Sequence, residues 1–422
     1  EAAPLHAPLP GRVVEIIDQV SHRAVMERSI VLEVTGQPAP VEEMLPAPAE
    51  EIETAELLDR IRQAGVVSPG NKSTPLALEL EPAPPLIEAP PADEAAAPQK
   101  ERRIETLIVA GLDREPGLYT NRRLAIQPTS AVFAGLTALR RISGAGEVIL
   151  AADRHLNQEA WAGVLDQEGV TLVERDNAAY PLTLSQALIH ALTGRAVPMP
   201  DGHPRDVGLG FVRLETLHWA GLAAATGAPQ TEKWLTVVQS MGSTYLIKVP
   251  LGTTAGHILK SLKIKPADGG KIIFGGRLTG FAIYDLDTPV TKEVDGLYVI
   301  DPARVRRYTQ EACFNCGICV KICPALLIPG ELSRYCEYNR FEEAFEKGLE
   351  SCIECGLCAY VCPAKRPIVH FFRHAKVELA AQRAEEAAAE AALKEAQEAE
   401  EQLTNVAGEP APAELTEGGE QQ

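Results

Sequence analysis

A multi-domain α/β class is what this sequence predicts, on three observations. Strand-like and helix-like stretches alternate between Ile104 and Thr193. A β-β-α-β order follows between Trp234 and Phe274. Eight of the nine Cys then fall in two matched runs between Cys313 and Cys362. The first pattern implies a parallel sheet covered by helices. The third implies a small helical part built around metal. A chain of 422 residues has room for all of these.

Composition removes several function classes. The formal net charge is −18, which argues against nucleic acid as a partner, since that needs a basic face. The longest apolar runs, such as Leu107 to Leu112 and Val148 to Ala152, are far too short to span a bilayer. The expectation is a soluble protein, or one held at a membrane only through partner subunits. The absence of a signal peptide and the commitment of nearly every Cys to one motif point to a reducing compartment, the cytoplasm. The chain starts at Glu1 without Met, which fits a trimmed product. No Ser-His-Asp arrangement or Walker loop is present, and the nine His have no ligand spacing.

In chain order, Val13 to Ile17 and Ile30 to Val34 alternate between Pro and Gly boundaries and read as strands of a small β module. Ile52, Leu57, Leu58 and Ile61 have helical spacing. Pro75 to Lys100 is rich in Pro, Ala and Glu, the composition of an extended linker. Thr106 to Leu112 reads as a buried strand. Ala131 to Ile142 reads as a helix, Glu147 to Ala152 as a strand, Gln158 to Gln167 as a helix and Val170 to Glu174 as a third strand. Leu184 to Thr193 and Val212 to Thr226 read as further helices. Cofactors of such sheets sit at the carboxyl ends of the strands, which places the loop Asp113 to Thr120 at that edge. Its acids, Asp113 and Glu115, read as solvated loop carboxylates. Arg122 and Arg123 could meet a phosphate, or simply line an interface.

Trp234 to Gln239 and Thr244 to Val249 read as strands, Thr253 to Leu262 as a helix and Lys271 to Phe274 as a strand, an order resembling a β-grasp module. A Gly-rich irregular link follows. His374 to Leu403 has high helix propensity, and Asn405 to Gln422 reads as disordered.

The Cys runs carry the chemistry. Cys313, Cys316, Cys319 and Cys323, then Cys352, Cys355, Cys358 and Cys362, both read C-x2-C-x2-C-x3-C-P. Thiolates are soft ligands suited to iron–sulfur cubanes. In this spacing the fourth Cys ligates the other cluster. One 4Fe–4S cluster is thus assigned to Cys313, Cys316, Cys319 and Cys362, and the other to Cys352, Cys355, Cys358 and Cys323. Zinc sites use separated pairs of ligands rather than a triplet plus one. Cys336, left over, reads as a buried structural thiol. Lys321, Lys365 and Arg366 flank the runs and read as surface bases, with pairing to an acidic partner the alternative.

These parts in this order resemble the C subunit of the Rnf electron transport complex. More distantly they resemble the flavin subunit of respiratory complex I and a cobalamin reductase of microcompartments. The likeness rests on LHAPLPGRVVEI, LLDRIRQAGVV, IETLIVAGLDREPGLYTNRRL, AAYPLTLSQALIHALTGRAVP and both Cys runs. The resemblance implies the following division. Residues 1–45 form a partial β barrel-sandwich module, and 46–100 a helix plus Pro/Ala-rich linker. Residues 101–205 form a Rossmann-like flavin domain, and 206–300 a soluble-ligand-binding β-grasp domain. Residues 301–374 form a two-cluster ferredoxin domain, and 375–422 an Ala/Glu-rich tail.

The resemblance also implies FMN and NADH, but three motifs depart from the family. The Gly-rich phosphate loop is replaced by SPGNKSTPLAL, the acidic loop reads LDREPG, and YPLTLSQ lacks the family's Gly and Glu. The expectation is therefore an iron–sulfur electron-transfer subunit that works with other redox subunits. Its alternative is a flavoenzyme that oxidises NADH through FMN, or a cobalamin-reductase-like variant of that.

Overall fold

The computed structural model describes residues 3–21, 23, 26–36, 52–68, 74–81, 103–176, 179–199, 202–239, 242–308 and 311–407. Within them the chain is mixed α/β, with a parallel sheet, a mixed sheet and a helical C-terminal region.

The N-terminal strands β1 (Gly11–Val20) and β2 (Met26–Val34) pair antiparallel as a two-stranded ribbon, longer than the apolar alternation alone indicates. Helix α1 (Thr54–Gln63) buries Leu57 and Ile61. The expected extended linker is helical at its start, where α2 (Leu76–Leu80) buries three apolar side chains. The rest of that linker lies outside the described residues, as do 69–73 of the replaced Gly-rich loop.

The parallel sheet contains β3 (Thr106–Ala110), β4 (Glu147–Ala152), β5 (Val170–Glu174) and β6 (Leu209–Arg213) in the order β5-β4-β3-β6. Helices α3 (Thr120–Ile126), α4 (Ser130–Ser143), α5 (Gln158–Leu165), α6 (Ser185–Thr193) and α7 (Leu214–Thr226) cover it. Three points differ from expectation. Residues Val212 and Arg213 end a strand rather than start a helix, because Leu209 to Arg213 pairs in parallel with all of β3. A short apolar run cannot be told from a helix start by periodicity. That pairing also carries the parallel sheet past residue 205. Finally, α3 has no local cap motif that the sequence could advertise.

Helices α4 and α7 cross almost backbone to backbone. A Cβ on Gly135 would overlap the Leu217 carbonyl, and one on Gly221 the Ala131 carbonyl. Below them Trp161 is fully buried and donates its indole N–H to the Ala125 carbonyl at 2.9 Å. A buried indole must find such an acceptor.

The mixed sheet contains β7 (Glu232–Gln239), β8 (Thr244–Pro250), β9 (Lys271–Phe274), β10 (Phe281–Ile283) and β11 (Gly296–Ile300), ordered β10-β9-β11-β7-β8. Helix α8 (Ala255–Ser261) packs on it. Strand β11 is parallel to β7 and antiparallel to β9. The link after β9, expected to be irregular, therefore contains β10, and β11 follows it. β10 has only three residues, and β11 pairs with β7, which is distant in sequence.

The C-terminal region is helical: α9 (Ile318–Ile322), α10 (Pro329–Glu337), α11 (Phe341–Glu346), α12 (Leu357–Val361) and the long α13 (Ile368–Ala407). Helix α13 runs through residues 374/375 without a break and includes Asn405 to Ala407, where disorder was expected; 408–422 lie outside the described residues. No helix among the described residues is long and apolar enough to cross a membrane.

The two sheets are joined by buried charge. Lys233 on β7 reaches Glu215 on α7 at 3.1 Å and Asp295, before β11, at 3.3 Å. Arg114, after β3, reaches the other Asp295 oxygen at 3.3 Å. Removing one partner from such a network leaves the others charged and without compensation. Lys233→Met is expected to lower unfolding free energy by about 3–5 kcal/mol, read from guanidinium melts. A loss below about 1 kcal/mol, the size of a surface pair, would show that the network does not join the sheets.

Candidate iron–sulfur and sheet-edge sites

Each Cys run forms a tight loop before a one-turn helix. The turn needs left-handed backbone, supplied at Asn315 and Gly317 in the first run and Glu354 and Gly356 in the second. Asn and Gly tolerate that conformation best. Cys313, Cys316 and Cys319 converge from the first loop and α9. Cys362, following α12, joins them from the other run. These four line a cavity of about 290 Å³. Gly330, at the start of α10, closes one wall. A Cβ there would stand 3.5 Å from the Sγ atoms of Cys313 and Cys319.

The second set is more enclosed. Cys355 and Cys358 are buried, and Cys352 is half-buried. Burial raises the Cys358 thiol, and neighbouring Cys352, Cys355 and Cys323 raise it further. Burial likewise pushes Cys352 up to about 12. These sulfurs would be protonated thiols unless a metal replaced the proton. Cys323, following α9, is thus set among the sulfurs of the second run.

The donor chemistry and the first cavity fit a four-iron cubane. Among the described residues no group of three or more His, Cys, Asp or Glu is placed to hold a single metal ion. Around the second set, Lys376 donates to the Cys352 carbonyl at 2.8 Å and Tyr180 to the Cys355 carbonyl at 2.5 Å. Burial opposes ionisation of Glu354, but Lys376 and Arg373, at 3.1 and 3.0 Å, hold its carboxyl below the ordinary range.

Flanking residues divide. Lys321 and Lys365 are exposed, as expected of surface bases. Arg366 is not one of them. It is buried, donates to the Glu311 carbonyl at 2.9 Å and pairs with Glu337 at 2.6 Å. Cys336 is buried within α10, in keeping with a structural thiol, and burial pushes it up to about 11.

The acidic loop after β3 corrects a second expectation. Asp113 and Glu115 are both fully buried. Asp113 accepts from the Asn121 and Arg122 amides at 2.7 and 3.3 Å, so it caps α3 from across a loop. Glu115 accepts from the Leu278 amide at 2.7 Å, the Thr279 amide at 3.0 Å and the Thr279 hydroxyl. Its carboxylate fills the space that a side chain on Gly276 would need. A buried carboxylate requires such donors. The Leu278 and Thr279 partners have no sequence signal, because backbone amides carry none.

At the carboxyl ends of the parallel strands lies a polar cavity of about 460 Å³. Arg122, Asp153, Arg154, His155, Glu174 and Arg175 contribute to its walls. Arg122 pairs with Asp153 at 3.0 Å, and Arg123 is exposed. Gly117 is the one glycine of its lining, and a Cβ there would stand 3.2 Å from the Tyr298 hydroxyl.

Comparison with known families follows this division. Residues 61–220 match the family described as the Nuo51 FMN-binding domain, and residues 312–366 match the 4Fe–4S dicluster domain. Two solved chains of an NAD+-reducing NiFe hydrogenase are similar. For the air-oxidized state the identity is 20% and the TM-score 0.48, over 72% of this chain and 56% of that one. For the H2-reduced state the identity is 18% and the TM-score 0.50, over 80% of this chain and 66% of that one. This protein thus spans less than two thirds of either chain's length, and the second likeness shows a shared fold.

Asp113 gives a pH test. Burial raises its carboxyl from 3.8 to about 6, against the opposing amides. Between those values the folded state holds a proton that the unfolded chain releases. Its stabilisation is complete below about pH 4 and is lost as pH rises through about 6. Asp113→Asn keeps an acceptor and cannot ionise. The variant should therefore gain stability relative to wild type between pH 4 and pH 7, by urea unfolding at both values. A difference that is the same at the two pH values would contradict this.

Proposed function

We propose that this chain is an iron–sulfur electron-transfer subunit of a multi-subunit redox complex. It relays single electrons through two 4Fe–4S clusters, one held by Cys313, Cys316, Cys319 and Cys362 and the other by Cys352, Cys355, Cys358 and Cys323. The observation that carries this is the doubled Cys turn, with Cys362 of the second run lining one cavity with Cys313, Cys316 and Cys319 of the first. A four-iron cubane supplies one-electron chemistry when bound. The chain's residues hold it, and Gly330, Ile353 and Leu357 keep water from the sulfurs. Interleaving brings the two sets together, as a relay needs.

The redox partners are other subunits of the complex, as in the Rnf-like arrangement, and the setting is the cytoplasm or the cytoplasmic face of a membrane. The strand order of residues 232–300 supports the β-grasp reading, and residues 3–36 are read as part of a barrel-sandwich module.

A second reading, the flavoenzyme that oxidises NADH through FMN, is favoured by the match of residues 61–220 to an FMN-binding domain. Against it stands the engagement of Asp113 and Glu115 in internal hydrogen bonds.

Anaerobic reconstitution separates the two. Iron should reach about eight per chain, with no flavin bands and no bleaching by NADH. Cys355→Ser should bring iron down to about four per chain. Bound flavin that NADH bleaches would replace the first reading with the second. Iron of one or two per chain, resistant to both Cys355→Ser and Cys316→Ser, would remove both.

A further inference from the structure

We propose that the open face of the first Cys run is the docking surface for an acidic one-electron carrier protein. The inference rests on the electron-transfer reading and adds the partner's chemistry and its place of contact.

The two runs are backbone copies. Asn315 and Glu354 have φ of 55° and 54°, Gly317 and Gly356 75° and 79°, and Leu326 and Lys365 55° and 49°. Their cover differs. Phe314 is 63% exposed and its counterpart Ile353 8%. Ile318 is 43% exposed and Leu357 8%, and Val320 is 38% exposed against 5% for Ala359. The cover on the second copy comes from this chain itself. Leu184, Tyr180 and Met199 pack with Ile353 and Leu357. The link between β9 and β10 lies against Gly356, where a Cβ would stand 2.5 Å from the Leu278 carbonyl oxygen. At Gly317 a Cβ would meet nothing within 4 Å.

The same backbone shape therefore already serves as a protein-docking face once within this molecule. Its duplicate is open, apolar at the centre through Phe314, Ile318 and Val320, and next to the exposed Cys316. An apolar centre with a charged rim is the make-up of a protein interface. An open patch of this kind marks an interaction site.

Charge selects the occupant. Exposed Lys321 follows Val320 on α9, and Arg334 is exposed as well. Arg334 contributes to the cavity wall. Glu331, the acid in that wall, is paired with Lys347 at 3.4 Å. On the covered copy the counterpart of Lys321 is Tyr360. A basic rim on a chain of net charge −18 steers an acidic protein to this face and disfavours docking elsewhere. A second copy, placed on the same face by two-fold symmetry, would set basic rim against basic rim. The docking serves one step. A reduced carrier loses one electron and this chain gains it, with no bond made and no proton exchanged.

The test uses the full-length reconstituted protein under anaerobic conditions. Stopped-flow absorbance follows reduction by two probes, the methyl viologen radical and a reduced acidic 2Fe–2S ferredoxin. The variants are Lys321→Glu and Ile318→Ser, neither of them a cluster ligand. With the ferredoxin, Lys321→Glu should lower the second-order rate roughly tenfold or more at low salt, and the wild-type rate should fall as salt rises. Ile318→Ser should slow the ferredoxin at every salt concentration. Viologen rates should match wild type throughout. Ferredoxin rates unchanged in both variants would overturn the proposal. So would a wild-type dimer in sedimentation that Ile318→Ser dissociates, because a second copy would then own the face. A reconstituted protein that viologen fails to reduce would remove the electron-transfer reading itself, and this inference with it.

Discussion

A single buried carboxylate fixes how the parts of this chain meet. Glu115 leaves the parallel sheet at the end of β3 and ends with no water around it. Its charge must be met by donors, and those come from Leu278 and Thr279 in the link of the mixed sheet. The same link gives its Thr279 carbonyl oxygen to Arg373 of α13 at 2.6 Å, and Arg373 also pairs with Glu354 inside the second Cys run. One set of hydrogen bonds thus runs from the sheet edge to Glu354 in the second Cys run. Misplacing any member would leave a charge or an amide buried without a partner, a cost of several kcal/mol.

That constraint explains why the sheet edge does two things at once. In an open α/β sheet the carboxyl ends of the strands are where ligands bind. Here the first loop at that edge is spent on structure. Asp113 caps α3, Glu115 anchors the link, and Arg114 joins Lys233 at Asp295. A polar cavity remains beside them, with its charges partly paired across it. The loop at this edge is thus the seat on which the Cys-rich region docks.

The consequence for the Cys runs is asymmetry. Two loops of the same backbone shape are treated differently because the α/β part docks on only one of them. The second becomes enclosed, with Tyr180 and Lys376 bonded to the carbonyls of its ligands. The first keeps its apolar side chains and Cys316 toward solvent. Docking thus leaves one of two like loops enclosed and the other reachable from solvent.

The Cys turns were legible without coordinates. Eight thiols at fixed spacing carry their own geometry, because three of each four come from one turn whose shape Gly and Asn favour. The strands of the parallel sheet were legible as well, since continuous burial leaves an apolar run in Thr106 to Ala110 and Glu147 to Ala152. What stayed hidden depended on distant partners. Leu209 to Arg213 is a strand because β3 lies beside it. Asp113, Glu115 and Arg366 read as solvated charges from their neighbours in sequence, yet all three are buried, since backbone amides across a loop meet Asp113 and backbone groups far along the chain meet Glu115 and Arg366. The sequence by itself determined the Cys spacing and the local turns, because those depend on nearest neighbours. The tertiary structure alone decided which charges are buried and which of two equal faces is left open, because both depend on what packs against them.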